Sequence, residues 1–208
     1  VRPPHGRERN VYRVWVGPGE TVQVNRDRSL ETLAGHITIV AGGLPTVDLK
    51  PAFDDLVGYP YGCAEQTGSR TEGLLAALNL PESVSGTPHI LLHEWATGGL
   101  QRLYWMQRLD GSMPYWRGGK ANDWITLRTA IVALKARDQG VEAPAGLLKG
   151  LLSYTARIAR PAQSKSNADL AALACRVLAR GEMPDKALIA ALASNPIKLN
   201  LAGRAHLA

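Results

Sequence analysis

The feature that most constrains this chain is a change of period at Pro51. Ahead of it, residues 11–16, 21–24 and 36–40 alternate apolar with polar positions and are rich in Val, Ile and Thr, the pattern of short half-buried strands. Pro18-Gly19 supplies a turn between the first two. Behind Pro51, Leu and Ala dominate and apolar positions recur three and four residues apart, which is the pattern of helices packed on one face. The expected fold is therefore mainly α, with a small antiparallel β segment over residues 1–50 that needs further packing, because three short strands are marginal alone.

The spacing predicts helices over 63–79, 88–109, 123–138, 144–159, 167–180 and 185–194. Gly140 is followed by Pro144 and Gly181 by Pro184, so a glycine ends one helix and a proline opens the next. The two glycines lie 41 positions apart, the length of one helical hairpin with its turns, and the array over 51–208 reads as stacked hairpins or a plain bundle. Residues 200–208 show no cap or terminal element in the pattern, so the array is expected to be incomplete at its C-terminus. Gln107, Asp110-Gly111 and Trp116 resemble the helix-ending motif of α/α-toroid repeats in terpene cyclases. Their structural reading is that Asp110-Gly111 turns the chain, Gln107 bonds orphan carbonyls and Trp116 packs on the next hairpin.

Composition removes several function classes. Apolar residues at 45% and charged residues at 20% are ordinary for a folded domain. No apolar run reaches the roughly 18 residues of a membrane span. The net charge of +6 is read as a solvated face, since no nucleic-acid module with interleaved aromatics accompanies it. The chain opens Val-Arg-Pro-Pro without Met or a signal-like segment and reads as an excised piece. Cys63 and Cys175, 112 positions apart, are too few for a disulfide framework.

The most informative stretch is Tyr59-Pro-Tyr61-Gly62-Cys63-Ala64-Glu65-Gln66-Thr67, where a coil runs into a helix. At a spacing of three, a thiol and a carboxamide share a helix face with β-carbons about 5–6 Å apart. Attack of the Cys63 sulfur on the Gln66 carbonyl carbon would expel ammonia and leave an internal thioester, a stored acylating group. Gly62 allows the close approach, and the positive end of a helix stabilises a leaving thiolate. Tyr59 and Tyr61 are expected to shield the acyl carbon from water. Glu65 either orients Gln66 or handles protons during ring closure, or is simply an acid capping the first turn. Two further glycines, Gly68 and Gly73, weaken this helix by about 0.5–1 kcal/mol each.

These residues resemble the thioester-containing proteins, the family of α2-macroglobulins and complement components, whose motif reads Gly-Cys-Gly-Glu-Gln or a variant. Here it stands as Gly62-Cys63-Ala64-Glu65-Gln66, and the flanking Tyr-Pro-Tyr and Thr look most like the bacterial α2-macroglobulins. Asp110-Gly-Ser112, Tyr115-Trp116 and Asp123-Trp-Ile-Thr126 are similar to the family's downstream stretch. The resemblance implies an α/α-toroid thioester domain over 51–208, preceded over 1–50 by a fragment of a CUB-like or macroglobulin-type β domain. It implies a protease inhibitor rather than an enzyme, one that traps target proteases covalently through lysine amines. It further implies a periplasmic or cell-envelope home, a longer chain around this one, and no cofactor. One departure is Ala64 in place of the common Gly. Another is the lack of any His between Tyr154 and Pro161, where complement-type members carry the one that relays the acyl group to hydroxyls.

Two other classes remain to be weighed. An α/α-toroid enzyme would use Cys63 as nucleophile or Asp110 as an acid, but no partner His or Asp-rich motif accompanies them. A scaffold in which Cys63 and Gln66 never react is the third. His89 and His93 are four apart on a predicted helix yet lack a third ligand, so no metal is expected. Cys175 falls among Leu170, Leu173, Ala174 and Leu178 and is expected in the core, while Trp95, Trp105, Trp116 and Trp124 are read as core and hairpin-packing residues rather than a ligand cage.

Overall fold

Helical punctuation determines most of the architecture. The computed structural model describes residues 12, 14–23, 49–58, 62–160, 168–194 and 199–207. Among them are nine helices: α1 (Lys50–Gly58), α2 (Ala64–Ala77), α3 (Glu82–Ser85), α4 (His89–Met106), α5 (Asp123–Asp138), α6 (Ala145–Ile158), α7 (Ala168–Arg180), α8 (Lys186–Ala193) and α9 (Leu201–Leu207). None is long and apolar enough to cross a membrane.

The helix α5 forms where the spacing places it, and its ends show why. Asn122 caps it by accepting the Ile125 N–H through its side chain at 3.0 Å. Gly140, at φ +70°, turns the chain out, and Pro144 precedes α6. Ile125, Leu127, Ala130, Val132, Ala133, Leu134 and Ala136 are all buried, so α5 meets neighbours on every side. Those neighbours are α2 and α7 on one layer and α6 on the other, while α4 packs outside α2. The result is two layers of helices, with α2, α5 and α7 inside, in the manner of an α/α toroid. A buried Leu such as Leu127 or Leu134 contributes about 1.5–3 kcal/mol to this core.

Three elements escaped the sequence pattern. The helix α1 sets Phe53 and Val57 on the core. The short α3 ends at Gly86 in the left-handed region. At the other end α9 forms on α7, with Asn200 accepting the Gly203 N–H at 2.9 Å through its side chain, so the expectation of no cap after Asn200 is corrected. For Trp105, Trp116 and Trp124 the core part of the expectation is corrected: they are 56%, 57% and 48% exposed and lie outside the core, which mainly Leu, Ala, Ile and Val fill.

Two units divide the chain, Val1–Ala41 and Gly42–Ala208. In the first, Pro18-Gly19 makes the expected turn, closed by the Glu20 N–H on the Gly17 carbonyl at 3.0 Å. No described residue there lies in a strand, because 14–16 and 21–23 flank the turn without forming a ladder. Among the described residues Val14, Trp15 and Val16 are exposed, as expected where no ladder forms. The third expected strand, 36–40, lies outside the described residues.

Candidate functional site

Cys63 is the cap of α2, with extended backbone at φ −66°, ψ 173°. Its Sγ accepts the backbone N–H of Gln66 at 3.5 Å, and Gln66 Oε1 accepts the Cys63 N–H at 3.1 Å. This is a capping box in which Cys replaces the usual Ser or Thr and Gln takes its ordinary third position. It brings the thiol and the carboxamide together over one turn. The thiol residue is only 7% exposed, Gln66 is half-buried and Glu65 is an exposed acid in the first turn. Tyr59 and Tyr61, the expected shields, lie outside the described residues.

Long-range bonds hold the chain on both sides of Cys63. Arg102 Nη2, from α4, donates to the Gly62 carbonyl at 3.1 Å. Ala64 N–H donates to the Tyr115 carbonyl at 2.8 Å. At Gly62 a β-carbon would stand 2.9 Å from Thr67 Oγ1, so a side chain there requires the Thr67 hydroxyl to shift, while Arg102 Nε at 3.5 Å would be in ordinary contact. Thr67 is itself buried. Neither Arg102 nor Tyr115 announced this role in sequence, because the contacts span 40 and 51 positions and neither belongs to the motif.

The segment between α4 and α5 supplies the second anchor and is fixed by the chemistry its residues suggested. Gln107 Nε2 donates to the carbonyls of Gly111 and Leu147, at 3.0 and 3.2 Å. Gly111 sits at φ +86°, and a β-carbon there would stand 2.2 Å from the Gly150 carbonyl oxygen, so this turn closes directly on the backbone of α6. Arg117 stacks over Trp105, 4.2 Å from the ring centroid, which ties the same segment to α4. Asp110 accepts the Ser112 hydroxyl at 2.6 Å and its N–H at 3.1 Å. The Ser112 bonds, helped by Arg108 and Arg157, hold its carboxyl below the ordinary range. A general acid needs the opposite shift, so Asp110 is a turn-former here.

The remaining candidates are accounted for by packing. His89 contacts the Leu80 carbonyl through Nε2 at 2.8 Å, and its N–H donates to Glu82, while His93 is half-buried one turn on. Cys175 is buried in α7, and burial, reinforced by Asp185, pushes its thiol up to about 11. Tyr154 donates its hydroxyl to Asp123 at 3.2 Å, and burial followed by that carboxylate raises its pKa. At the far ends of α2, α5 and α7, a groove of about 270 Å³ is lined by Glu72, Asn79, Lys135, Asp138, Gln139 and Arg180. Burial opposes the charge on Glu72, but Lys135 and Arg128 outweigh it and hold that carboxyl low.

No protein-family model matches the chain. It is 28% identical over 155 residues to an alpha-2-macroglobulin of Escherichia coli, a match that takes in 69% of this chain and 9% of the relative. It is also 28% identical over 120 residues to one of Thermotoga maritima, covering 57% of this chain and 7% of that protein. Its fold matches a Salmonella alpha-2-macroglobulin solved after reaction with methylamine, with a TM-score of 0.61 and 24% identity over 75% of this chain and 11% of that one. The chain thus spans about a tenth of the proteins it resembles. Likeness of sequence to two bacterial relatives, joined to the shared helical fold, makes this chain an alpha-2-macroglobulin-like segment.

Proposed function

We propose that residues 51–208 are the thioester domain of a bacterial alpha-2-macroglobulin-like protease inhibitor, with 1–50 part of a preceding β domain. The observation that carries the reading is the reciprocal pairing of Cys63 and Gln66 around a buried sulfur. In ring closure the Cys63 sulfur bonds to the Gln66 carbonyl carbon, the carbon–nitrogen bond breaks, and ammonia leaves with the thiol proton. In use, a lysine amine of the target protease attacks the same carbon, Cys63 departs as thiolate, and the proton lost by the amine returns to it. One amide is made per molecule, so the protein is a single-use trap and no enzyme. Gly62 and Glu65 support the thioester, Tyr59 and Tyr61 shield it, and no cofactor takes part. The periplasm or cell envelope, where foreign proteases are met, is the proposed location.

Support for amine chemistry comes from the Salmonella relative, which was solved after reaction with methylamine. Hydroxyl acceptors need an imidazole relay, and residues 154–161 hold no His. The test is the intact mass of the purified full-length protein. It should be lighter by one ammonia than its translated sequence, and methylamine should add its own mass while releasing Cys63 to thiol reagents. Glycerol at equal concentration should label about a hundred-fold less. A native protein with full mass and a freely titrating Cys63 would refute the reading.

A further inference from the structure

We propose that Arg102 is a positioning residue for the Cys63–Gln66 pair. The argument starts from how the residue before the thiol is held. Gly62 leads into α2 with its carbonyl bonded to Arg102, 40 positions away on α4, while the residue after the thiol is bonded to Tyr115. Cys63 therefore sits between two fixed peptide groups, and the direction of its Cα–Cβ bond, hence of Sγ, follows from both. One of those ties is main chain to main chain. The other depends on a single side chain.

The same helix serves both ties. Trp105, one turn beyond Arg102 on α4, carries the stacked Arg117, two residues from Tyr115. Arg102 also lies against the bare face of Gly62, with Nε 3.5 Å from where a β-carbon would be, an ordinary contact distance that sets the guanidinium directly beside this peptide. Arg102 is exposed and the Gly62 carbonyl accepts its hydrogen bond at the surface, which means its removal costs little global stability. What it changes is local aim. A small angular error at a group that must close a ring and exclude water translates into large rate effects.

The consequence for the ring rests on the thioester reading, whereas the consequence for the thiol does not, and the test uses both. In the full-length protein, Arg102→Met keeps the length of the side chain without donors, and Arg102→Lys keeps a donor and the charge. The first readout is the fraction of molecules lighter by one ammonia and the half-life of that species in buffer. The second is the alkylation rate of Cys63 by iodoacetamide in a Gln66→Ala background, where no ring can form. Arg102→Met is expected to shorten the half-life and to speed alkylation, each by about ten-fold, with the melting temperature within about 2 °C of the parent. Arg102→Lys should recover most of both. Equal alkylation of Arg102→Met and its parent would overturn the proposal, as would indistinguishable behaviour of the Met and Lys variants. Full mass in the unmutated protein would defeat the thioester reading alone, since the alkylation comparison still decides the role of Arg102.

Discussion

The start of α2 and the middle of α7 each bury a cysteine, and they differ in every respect except burial. Cys175 is enclosed by apolar side chains along a helix, and that enclosure pushes its thiol up to about 11. Cys63 stands at a helix start, bonded to a carboxamide on the next turn and framed by peptide groups anchored to Arg102 and Tyr115. Burial alone makes a cysteine inert. Burial beside an aligned electrophile can instead protect a reactive bond from water until it is needed, and the contrast lies in the partner rather than in the sulfur.

The largest test of that contrast is removal of the partner. Gln66→Glu takes away the amide whose nitrogen leaves on ring closure. The protein should then keep its full mass, and position 66 should take up no methylamine. If methylamine still became attached to position 66, the carboxamide would not be the acyl source. A second comparison reads the sulfurs directly. With a thiol pushed up to about 11, Cys175 carries thiolate on the order of a thousandth at pH 8, so iodoacetamide should modify it at least about a hundred-fold more slowly than an unstructured cysteine peptide. Because the raised value favours the protonated thiol in the fold, its contribution to stability is complete below the ordinary value near 9 and is lost as the pH climbs toward 11. Rapid labelling of Cys175 at pH 8 in folded protein would erase the distinction. The smallest effect concerns the support of Cys63. Gly111→Ala forces a left-handed residue onto the Gly150 carbonyl and should cost about 2–3 kcal/mol in denaturant unfolding. A change under about 0.5 kcal/mol would mean the turn yields freely.

Much of this arrangement was legible before any coordinates because it is written in short-range chemistry. The limits of α5, the glycine after it and the proline before α6 follow from caps and stops that neighbouring residues determine. The bond of Gln107 to Gly111 and the Asp110-Gly111 turn are similarly local in origin, while the second Gln107 bond, to Leu147, is not. Illegible parts depend on what lies opposite in space. The pattern gave no way to tell that Trp105 would present its ring to Arg117 at the surface instead of to the core. Arg102 looked like any exposed helix arginine, since its partner carbonyl is distant in sequence. The capped start of α9 shows the converse failure: Asn200 is an ordinary cap residue, overlooked because the helix after it has only seven residues and a weak period. In the first unit the alternating residues 14–16 and 21–23 form no strand, because alternation specifies a face and not the ladder partner a strand needs.

The segment joining α4 to α5 touches more of the molecule than its size suggests. It meets α2 through Tyr115, α4 through Arg117, α5 through the Met113 N–H on Thr126 and α6 through Gly111. Four attachments along so short a path leave almost no slack in the covalent chain. Side chains that face outward, such as Leu109, are free to vary, whereas a single inserted or deleted residue would put at least one attachment out of register. Among chains built on this plan, the count of residues from Gln107 to Asn122 should therefore be more uniform than their identities. A library of one-residue insertions would find this segment, and not the turns after α5 or α7, to be the part whose length cannot change.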